Sequence, residues 1–295
     1  MHSPHRHRVG WFLLLPMLVI MIVVTGFPLV NTVWLAFTDA GLTGRGYDWT
    51  WIGVENFAYI WGDRKFRAAL GATFYFSIVS VAIEVVLGVL VALLLNQPFK
   101  GRTLVRALMI LPWALPTIVN AMMWRLIYNP DFGALNALLV QTGLMADYRT
   151  WLGDPASAMN MIILADIWKN YPLIALIALG ALQTIPKDLY EAAALDGANV
   201  WVRFWEITLP GIIGAVSVAL VLRSIEAFKV FDIIWVMTRG GPADKTKTAS
   251  FFVYQESFSF LRAGSGAAYA LVVTAISGVL ITLYIIALRR QRRTA

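Results

Sequence analysis

The stretch Glu191-Ala-Ala-Ala-Leu-Asp-Gly197, followed after nine residues by Ile207-Thr-Leu-Pro210, decides how the rest of the chain is interpreted. It is a polar insert between two long apolar segments. Its alanines and leucine favour a helix, and Gly197 can adopt the left-handed conformation that ends one. A second short helix is predicted from about residue 199 to residue 208. Pro210 favours an extended conformation at Leu209 and can open the next helix.

The segments on both sides of this insert are those of a membrane protein. Hydrophobic residues make up 59% of the 295 residues and charged residues only 14%. So few charges cannot solvate a globular surface of this size, and apolar runs of about 20 residues recur along the chain. We predict an all-α, polytopic membrane protein with one transmembrane domain at residues 11–288, between basic tails at 1–10 and 289–295.

Six membrane spans follow from the positions of the apolar runs. They are predicted at residues 11–33, 71–95, 107–128, 158–182, 211–238 and 268–288. Pro112 and Pro116 remove two backbone donors from the third span, so a kink is expected there. The polar insert at residues 184–210 separates the fourth span from the fifth.

The distribution of Lys and Arg predicts the orientation in the membrane. With the N-terminus inside, the inner segments carry eleven Lys and Arg in 55 residues, and the outer segments carry nine in 90. The higher density inside favours cytoplasmic termini and a cytoplasmic insert. The net charge of +7 could also indicate nucleic-acid binding. The basic residues lie at span ends rather than in one patch, which disfavours that interpretation.

The fixed positions of the insert resemble the cytoplasmic coupling loop of permease subunits in bacterial ABC importers. Glu-Ala-Ala, three residues, Gly, nine residues and Ile-x-Leu-Pro occur at that loop's spacing. The motifs Trp168-Lys169, Asn129-Pro130-x-x-Gly133-x-x-Asn136, Phe231-Asp232 and Thr238-x-Gly240-Gly241-Pro242 resemble the carbohydrate-uptake branch, which includes the maltose and glycerol-phosphate permeases. The resemblance implies that the residues coupling this chain to an ATPase are Glu191, Ala192, Ala193, Asp196, Gly197, Ile207, Leu209 and Pro210.

The same resemblance implies the fold, the activity and the partners. The fold would be that of a type I ABC importer permease with a two-helix coupling loop, in a bacterial or archaeal plasma membrane. The chain would form half of the path of an ATP-driven importer for a sugar or polyol, coupled to its ATPase through residues 187–208. Its partners would be a second related permease, two ATPase subunits, an extracytoplasmic solute-binding protein and membrane lipid.

No cofactor is expected on this chain, and ATP and Mg are expected on the partner ATPase. The segment Gly240-Gly241-Pro-Ala-Asp-Lys245-Thr246 superficially resembles a phosphate-binding loop. It lacks the glycine that directly precedes Lys-Ser/Thr in such loops, and it lies in a predicted external segment.

Polar residues inside the spans predict where a solute could pass, because each is costly in hydrocarbon and normally faces protein or water. A sugar path needs hydrogen-bonding side chains beside aromatic faces, and the candidates are Asn120, Trp124, Asn170, Tyr171, Glu226 and Phe228. The same residue types also bridge helices or fill cores. Arg223, Glu226, Lys229 and Asp232 recur every three residues; they either pair, Arg223 with Glu226 and Lys229 with Asp232, or partly line the path.

Three other classes of function fit the sequence less well. An ion-gradient-driven secondary transporter would use inverted repeats, and no internal repeat is evident. A membrane enzyme would need a catalytic or metal-binding group, but cysteine is absent and the histidines, His2, His5 and His7, lie in the N-terminal tail. The spacing of Glu84, Asp166 and Glu226 does not support a paired-carboxylate hydrolase. A receptor or scaffold would not need an ATPase-docking loop.

Overall fold

The computed structural model describes residues 4–43 and 46–294, with the side chains of residues 13–41 and 49–286. The side chains of the predicted tails, 1–10 and 289–295, lie outside this description.

Helices account for most of the described chain. The first part contains, in order, α1 (Pro4–Met21), a π-helical turn (Ile22–Gly26), α2 (Phe27–Leu35), β1 (Gly41–Thr43), β2 (Gly46–Asp48) and α3 (Glu55–Gly62). The middle part contains α4 (Arg64–Asn96), α5 (Arg102–Ala114), α6 (Thr117–Ile127), α7 (Ala134–Gln141) and α8 (Ala158–Leu182). The all-α prediction is confirmed, with the addition of the antiparallel pair β1–β2, which was not predicted.

The last third begins with the predicted two-helix insert. It contains α9 (Lys187–Leu195), α10 (Val200–Arg203), a π-helical turn (Phe204–Thr208), α11 (Leu209–Phe228), α12 (Asp232–Met237), α13 (Ala249–Tyr254), a third π-helical turn (Gln255–Ser259) and α14 (Ala263–Thr294).

Five helices of the described chain are long and apolar enough to cross a membrane. They are Leu13–Leu35, Arg64–Asn96, Ala158–Leu182, Val200–Phe228 and Ala263–Ile286. A sixth crossing is formed if Arg102–Ala114 and Thr117–Ile127 count as one span. Each predicted span therefore overlaps one of these helices or this helix pair.

The third predicted span is broken rather than kinked. Helices α5 and α6 meet at an angle of 96° across Leu115 and Pro116. Both residues are extended, with ψ of 137° and 139°. Proline disfavours a helical conformation in the residue before it and cannot donate a backbone hydrogen bond. Pro116 therefore ends α5 at this point, whereas Pro112 stays inside the helix.

The fifth span ends earlier than predicted. The prediction continued to residue 238, but α11 ends at Phe228 and the separate helix α12 starts at Asp232. The hydroxyl of Thr248 donates to the carbonyl of Val230 at 3.0 Å and satisfies a backbone group between the two helices. Thr248 lies 18 residues from Val230 in sequence, so local helix propensity could not indicate this hydrogen bond or the break that it stabilises.

The described chain falls into two compact units. The smaller unit comprises residues up to Arg64 together with Val253–Ala275, and the larger comprises Lys65–Phe252 with the residues from Ile276 onward. In the smaller unit, Tyr269 donates a hydrogen bond to Asp63. In the larger unit, α8 contributes to two buried apolar clusters, one including Ile162 and the other Leu179. The single domain predicted over residues 11–288 stays a prediction.

Candidate functional site

The first helix of the insert ends as its sequence predicts. Gly197 has a φ of +79°, a conformation that is strained for residues with a Cβ. The N–H of Ala198 bonds the carbonyl of Ala193 at 2.9 Å, and that of Gly197 bonds Ala194 at 3.2 Å. These two bonds form a Schellman motif, which satisfies the last carbonyls of α9. The prediction that Gly197 ends this helix in a left-handed conformation is confirmed.

The second helix of the insert runs directly into the fifth span. Asn199 caps its start, since its Oδ1 accepts a hydrogen bond from the N–H of Val202 at 3.0 Å. Leu209 is helical, with φ of −63° and ψ of −46°, so the prediction of an extended residue before Pro210 was wrong. The π-helical turn at Phe204–Thr208 explains the difference: Leu209 bonds back to Phe204, and the helix continues through the proline.

The surface of the insert combines exposed polar and exposed apolar groups. Of the eight predicted coupling residues, five are exposed, namely Glu191, Ala192, Asp196, Gly197 and Pro210, and three are half-buried, namely Ala193, Ile207 and Leu209. Large apolar side chains are exposed around them at Leu189, Leu195, Val200, Trp201, Val202 and Trp205, and Leu195 is 90% exposed. Exposed apolar groups concentrated in one segment mark an interaction surface.

A buried arginine joins three of the membrane spans. Arg223 on α11 is 3% exposed. Its Nε and Nη2 donate to the two carboxylate oxygens of Glu84 on α4, at 2.8 and 2.9 Å. Nη2 also donates to Asp166 on α8 at 3.0 Å, and Nη1 donates to Glu226 at 3.0 Å. The guanidinium is thus hydrogen-bonded by three carboxylates, and its bond to Glu84 is bidentate. We call these four residues the Arg223 cluster.

The Arg223 cluster extends the pairing predicted from sequence. Arg223 does pair with Glu226, but Lys229 and Asp232 are both exposed and form no ion pair with each other in the described part of the chain. Glu226 is the accessible member, with 63% of its side chain exposed. Asn170, a predicted path residue, donates a hydrogen bond to the Asp166 carboxylate at 2.9 Å and so contacts the Arg223 cluster.

Two predicted path residues lie one helical turn apart on α6. Asn120 is fully buried and its Nδ2 donates to the carbonyl of Ala165 on α8 at 3.3 Å. Trp124 packs edge-on against Trp168, with ring centroids 5.9 Å apart. Among the residues that the structure describes, Asn120 Oδ1 and Trp124 Nε1 find no hydrogen-bond partner. A hydroxyl group can pair with either kind of atom, because it both donates and accepts.

The other two predicted path residues lie elsewhere. Tyr171 packs against the buried cluster that contains Leu179. Phe228 is 2% exposed and packs against Phe74, beside a cavity of about 330 Å³ between α4, α11 and α14. The structure therefore does not bring all six candidates together.

The pairing of Glu84 and Asp166 with Arg223 was not predicted from the sequence. Each is an ionisable residue inside a predicted span, and that is the signal that could have identified them. Their pairing depends on how three helices pack, and sequence spacing does not reveal that. Within the described residues, no group of three or more His, Cys, Asp or Glu side chains is placed to hold a metal ion.

Comparison with known proteins gives a family match over most of the chain. Residues 84–294 match the family model described as "Binding-protein-dependent transport system inner membrane component". The chain is similar to the trehalose/maltose transport system permease protein MalF of Thermococcus litoralis, with 40% identity over 84% of this chain and 82% of the relative. It is similar to the sulfoquinovosyl glycerol transport system permease protein SmoG of Agrobacterium fabrum, with 34% identity over 95% and 90%.

The fold is similar to that of a solved transport protein. A chain in the crystal structure of a bacterial ABC transporter involved in the import of the acidic polysaccharide alginate superimposes with a TM-score of 0.84. The match covers 97% of this chain and 96% of that chain, at 24% identity. At this identity the likeness shows the fold alone.

Proposed function

Because this chain belongs to the family of binding-protein-dependent transport system inner membrane components, we propose that it is the permease subunit of an ATP-driven importer for a sugar or related polyol. Two relatives at 40% and 34% identity are named for the transport of trehalose and maltose and of sulfoquinovosyl glycerol. Both names describe carbohydrate cargo. The apolar helices and the family agree on a multi-pass inner-membrane protein.

The observation that carries this function is the insert at residues 187–208. Its exposed apolar side chains, with Leu195 90% exposed, form a surface suited to a protein partner. Helix α10 continues without a break into α11, so a displacement of α10 would also move the fifth span. We assign this surface to a separate ATPase chain that binds ATP and Mg. Glu191, Ala192, Ala193, Asp196, Gly197, Ile207, Leu209 and Pro210 are the residues that would couple to it.

The solute path is assigned to the polar groups between α6, α8 and α11. Asn120 and Trp124 offer an acceptor and a donor without partners, and Glu226 offers an exposed carboxylate held by Arg223. These groups suit a neutral molecule rich in hydroxyls. Asn170 supports the path through Asp166. Tyr171 and Phe228 are not included, because they pack in other regions.

The assembly would contain a second related permease, two ATPase subunits and an extracytoplasmic solute-binding protein. None of residues 13–35 in the first span is buried by this chain, so lipid or another subunit must cover them. The higher density of Lys and Arg in the inner segments supports cytoplasmic termini and a cytoplasmic insert.

The function is tested by uptake of radiolabelled trehalose into vesicles that hold the complete importer. Glu191→Ala and Gly197→Val should lower uptake at least tenfold per ATP hydrolysed, while membrane insertion is unchanged. Gly197→Val also forces a β-branched residue into a left-handed conformation, which costs about 1–2 kcal/mol. Gly143→Val is the matched control: Gly143 has a φ of +72° and open space around it, but it follows α7 in a predicted external segment.

Gly143→Val should keep the wild-type uptake per ATP. Normal coupling in both insert variants would contradict the proposed function. Uptake that stops when the proton and sodium gradients are collapsed, although ATP is present, would also contradict it.

A further inference from the structure

A single side-chain hydrogen bond joins the two helices of the insert. The hydroxyl of Tyr190 on α9 lies 2.9 Å from Oγ1 of Thr208, the last residue of the π-helical turn. Thr208 is 5% exposed, although most of the insert is exposed. In the part of the chain that the structure describes, no other side-chain hydrogen bond links α9 to the helix that runs from Val200 to Phe228.

The direction of this bond follows from counting protons. Oγ1 of Thr208 also lies 3.3 Å from the carbonyl of Arg203, and that carbonyl can only accept. A threonine hydroxyl has one hydrogen, which therefore goes to Arg203. Tyr190 donates its phenolic hydrogen to Thr208. Both hydroxyls are satisfied, and the tyrosine ring is held against the π-helical turn.

The Tyr190–Thr208 bond adds a second connection between α9 and the helix that follows it, besides the short loop between them. Between α9 and α10 the chain passes through Asp196–Asn199, where Gly197 is left-handed. At the other end of the insert, Ile185 packs over Gly211; a Cβ on that glycine would lie 2.6 Å from Ile185 Cδ1. Two contacts therefore fasten the first helix to the span: the Ile185–Gly211 contact before α9 and the Tyr190–Thr208 bond within it.

We propose that Tyr190 and Thr208 are positioning residues for coupling. Their hydrogen bond makes α9 and the helix Val200–Phe228 move as one body, so that a displacement of α9 by the ATPase reaches α11 instead of being absorbed at Gly197. Neither residue is among the fixed positions of the motif. This proposal rests on the proposed function, because it requires that an ATPase moves α9.

The test measures the ratio of trehalose transported to ATP hydrolysed by the complete importer in vesicles. Tyr190→Phe and Thr208→Val each remove one hydroxyl and keep the shape of the side chain. Each should lower the ratio about three- to tenfold, the factor that corresponds to one neutral hydrogen bond. The double variant should be no worse than the more affected single variant, because both remove the same bond. Thr208→Ser keeps the hydroxyl and should retain the wild-type ratio.

Tyr148→Phe is the matched control, since Tyr148 is an exposed tyrosine in a predicted external segment. It should leave the ratio unchanged. Wild-type ratios in both single variants, or losses that multiply in the double variant, would overturn the proposal. If these variants couple normally while Glu191→Ala does not, only the role of the hydrogen bond is wrong. If Glu191→Ala and Gly197→Val also couple normally, the proposed function itself fails.

Discussion

At the scale of single residues, the most consequential feature is a charge that lies inside the membrane domain. Arg223 is hydrogen-bonded to carboxylates from α4, α8 and its own helix. Removing the one cation of a buried group of charges leaves the negative charges of its carboxylate partners uncompensated. The sequence could predict that these residues face protein or water, but not that α4 and α8 meet α11 at this one point.

We therefore predict that Arg223→Met destabilises the chain by about 3–5 kcal/mol, because it leaves Glu84 buried without a partner. The measurement is thermal unfolding of the purified complex in detergent. Arg149→Met is the control. It removes an ion pair of 3.2 Å with Asp154 in which Arg149 is 54% exposed. That change should cost less than about 1 kcal/mol. An Arg223 variant as stable as the control would contradict the structural role of the cluster.

A glycine between two spans gives a second prediction at this scale. A Cβ on Gly88 of α4 would lie 2.8 Å from Cβ of Ile174 on α8. Gly88→Ala should therefore cost about 1–3 kcal/mol through overpacking. Gly71 lies on the same helix and has no atom within 4 Å of the equivalent position. Gly71→Ala should be neutral or stabilising by up to about 1 kcal/mol, since alanine is the better helix former. Equal unfolding temperatures for the two variants would show that α4 and α8 do not pack at Gly88.

At the scale of elements, the second helix of the insert is continuous with the fifth span. The glycine corner was predictable because local backbone chemistry fixes it. The continuity was not, because proline usually disfavours a helical residue before it. The π-helical turn at Phe204–Thr208 overrides that tendency. The break between α5 and α6 shows the opposite outcome, since there the proline does end a helix.

Spin labels can test this continuity, and the chain contains no cysteine, so labelling sites can be introduced singly or in pairs. Val200 and Val218 are both exposed and lie 18 residues apart along this helix, on either side of the π-helical turn and Pro210. A continuous helix predicts a narrow distribution of label-to-label distances centred at about 27 Å by double electron–electron resonance. The distance should be the same with and without nucleotide. A broad distribution would indicate a hinge at Pro210.

At the scale of the whole molecule, hydropathy predicted the positions of the apolar helices, and one motif predicted the position of the insert. Hydropathy is informative here because backbone N–H and C=O groups in hydrocarbon must form hydrogen bonds within their own segment. A long apolar run in a membrane protein is therefore a helix. The candidate path was less predictable. Asn120 and Trp124 share a face of α6. Glu226 is connected to Asn170 by hydrogen bonds through Arg223 and Asp166. Tyr171 and Phe228 pack in other regions. A sequence shows which polar residues are inside the membrane but not which faces of the helices meet.

We propose that the insert at residues 187–208 binds a separate ATPase subunit on the cytoplasmic side of the membrane. A cysteine placed at Leu195, which is 90% exposed, tests this claim most directly. In the complete importer, a photo-cross-linker attached to this cysteine through a thiol-reactive group should cross-link it to the ATPase chain. An impermeant thiol reagent should reach it only from the cytoplasmic side. Cross-linking to no nucleotide-hydrolysing subunit, or labelling from the outside, would contradict the claim.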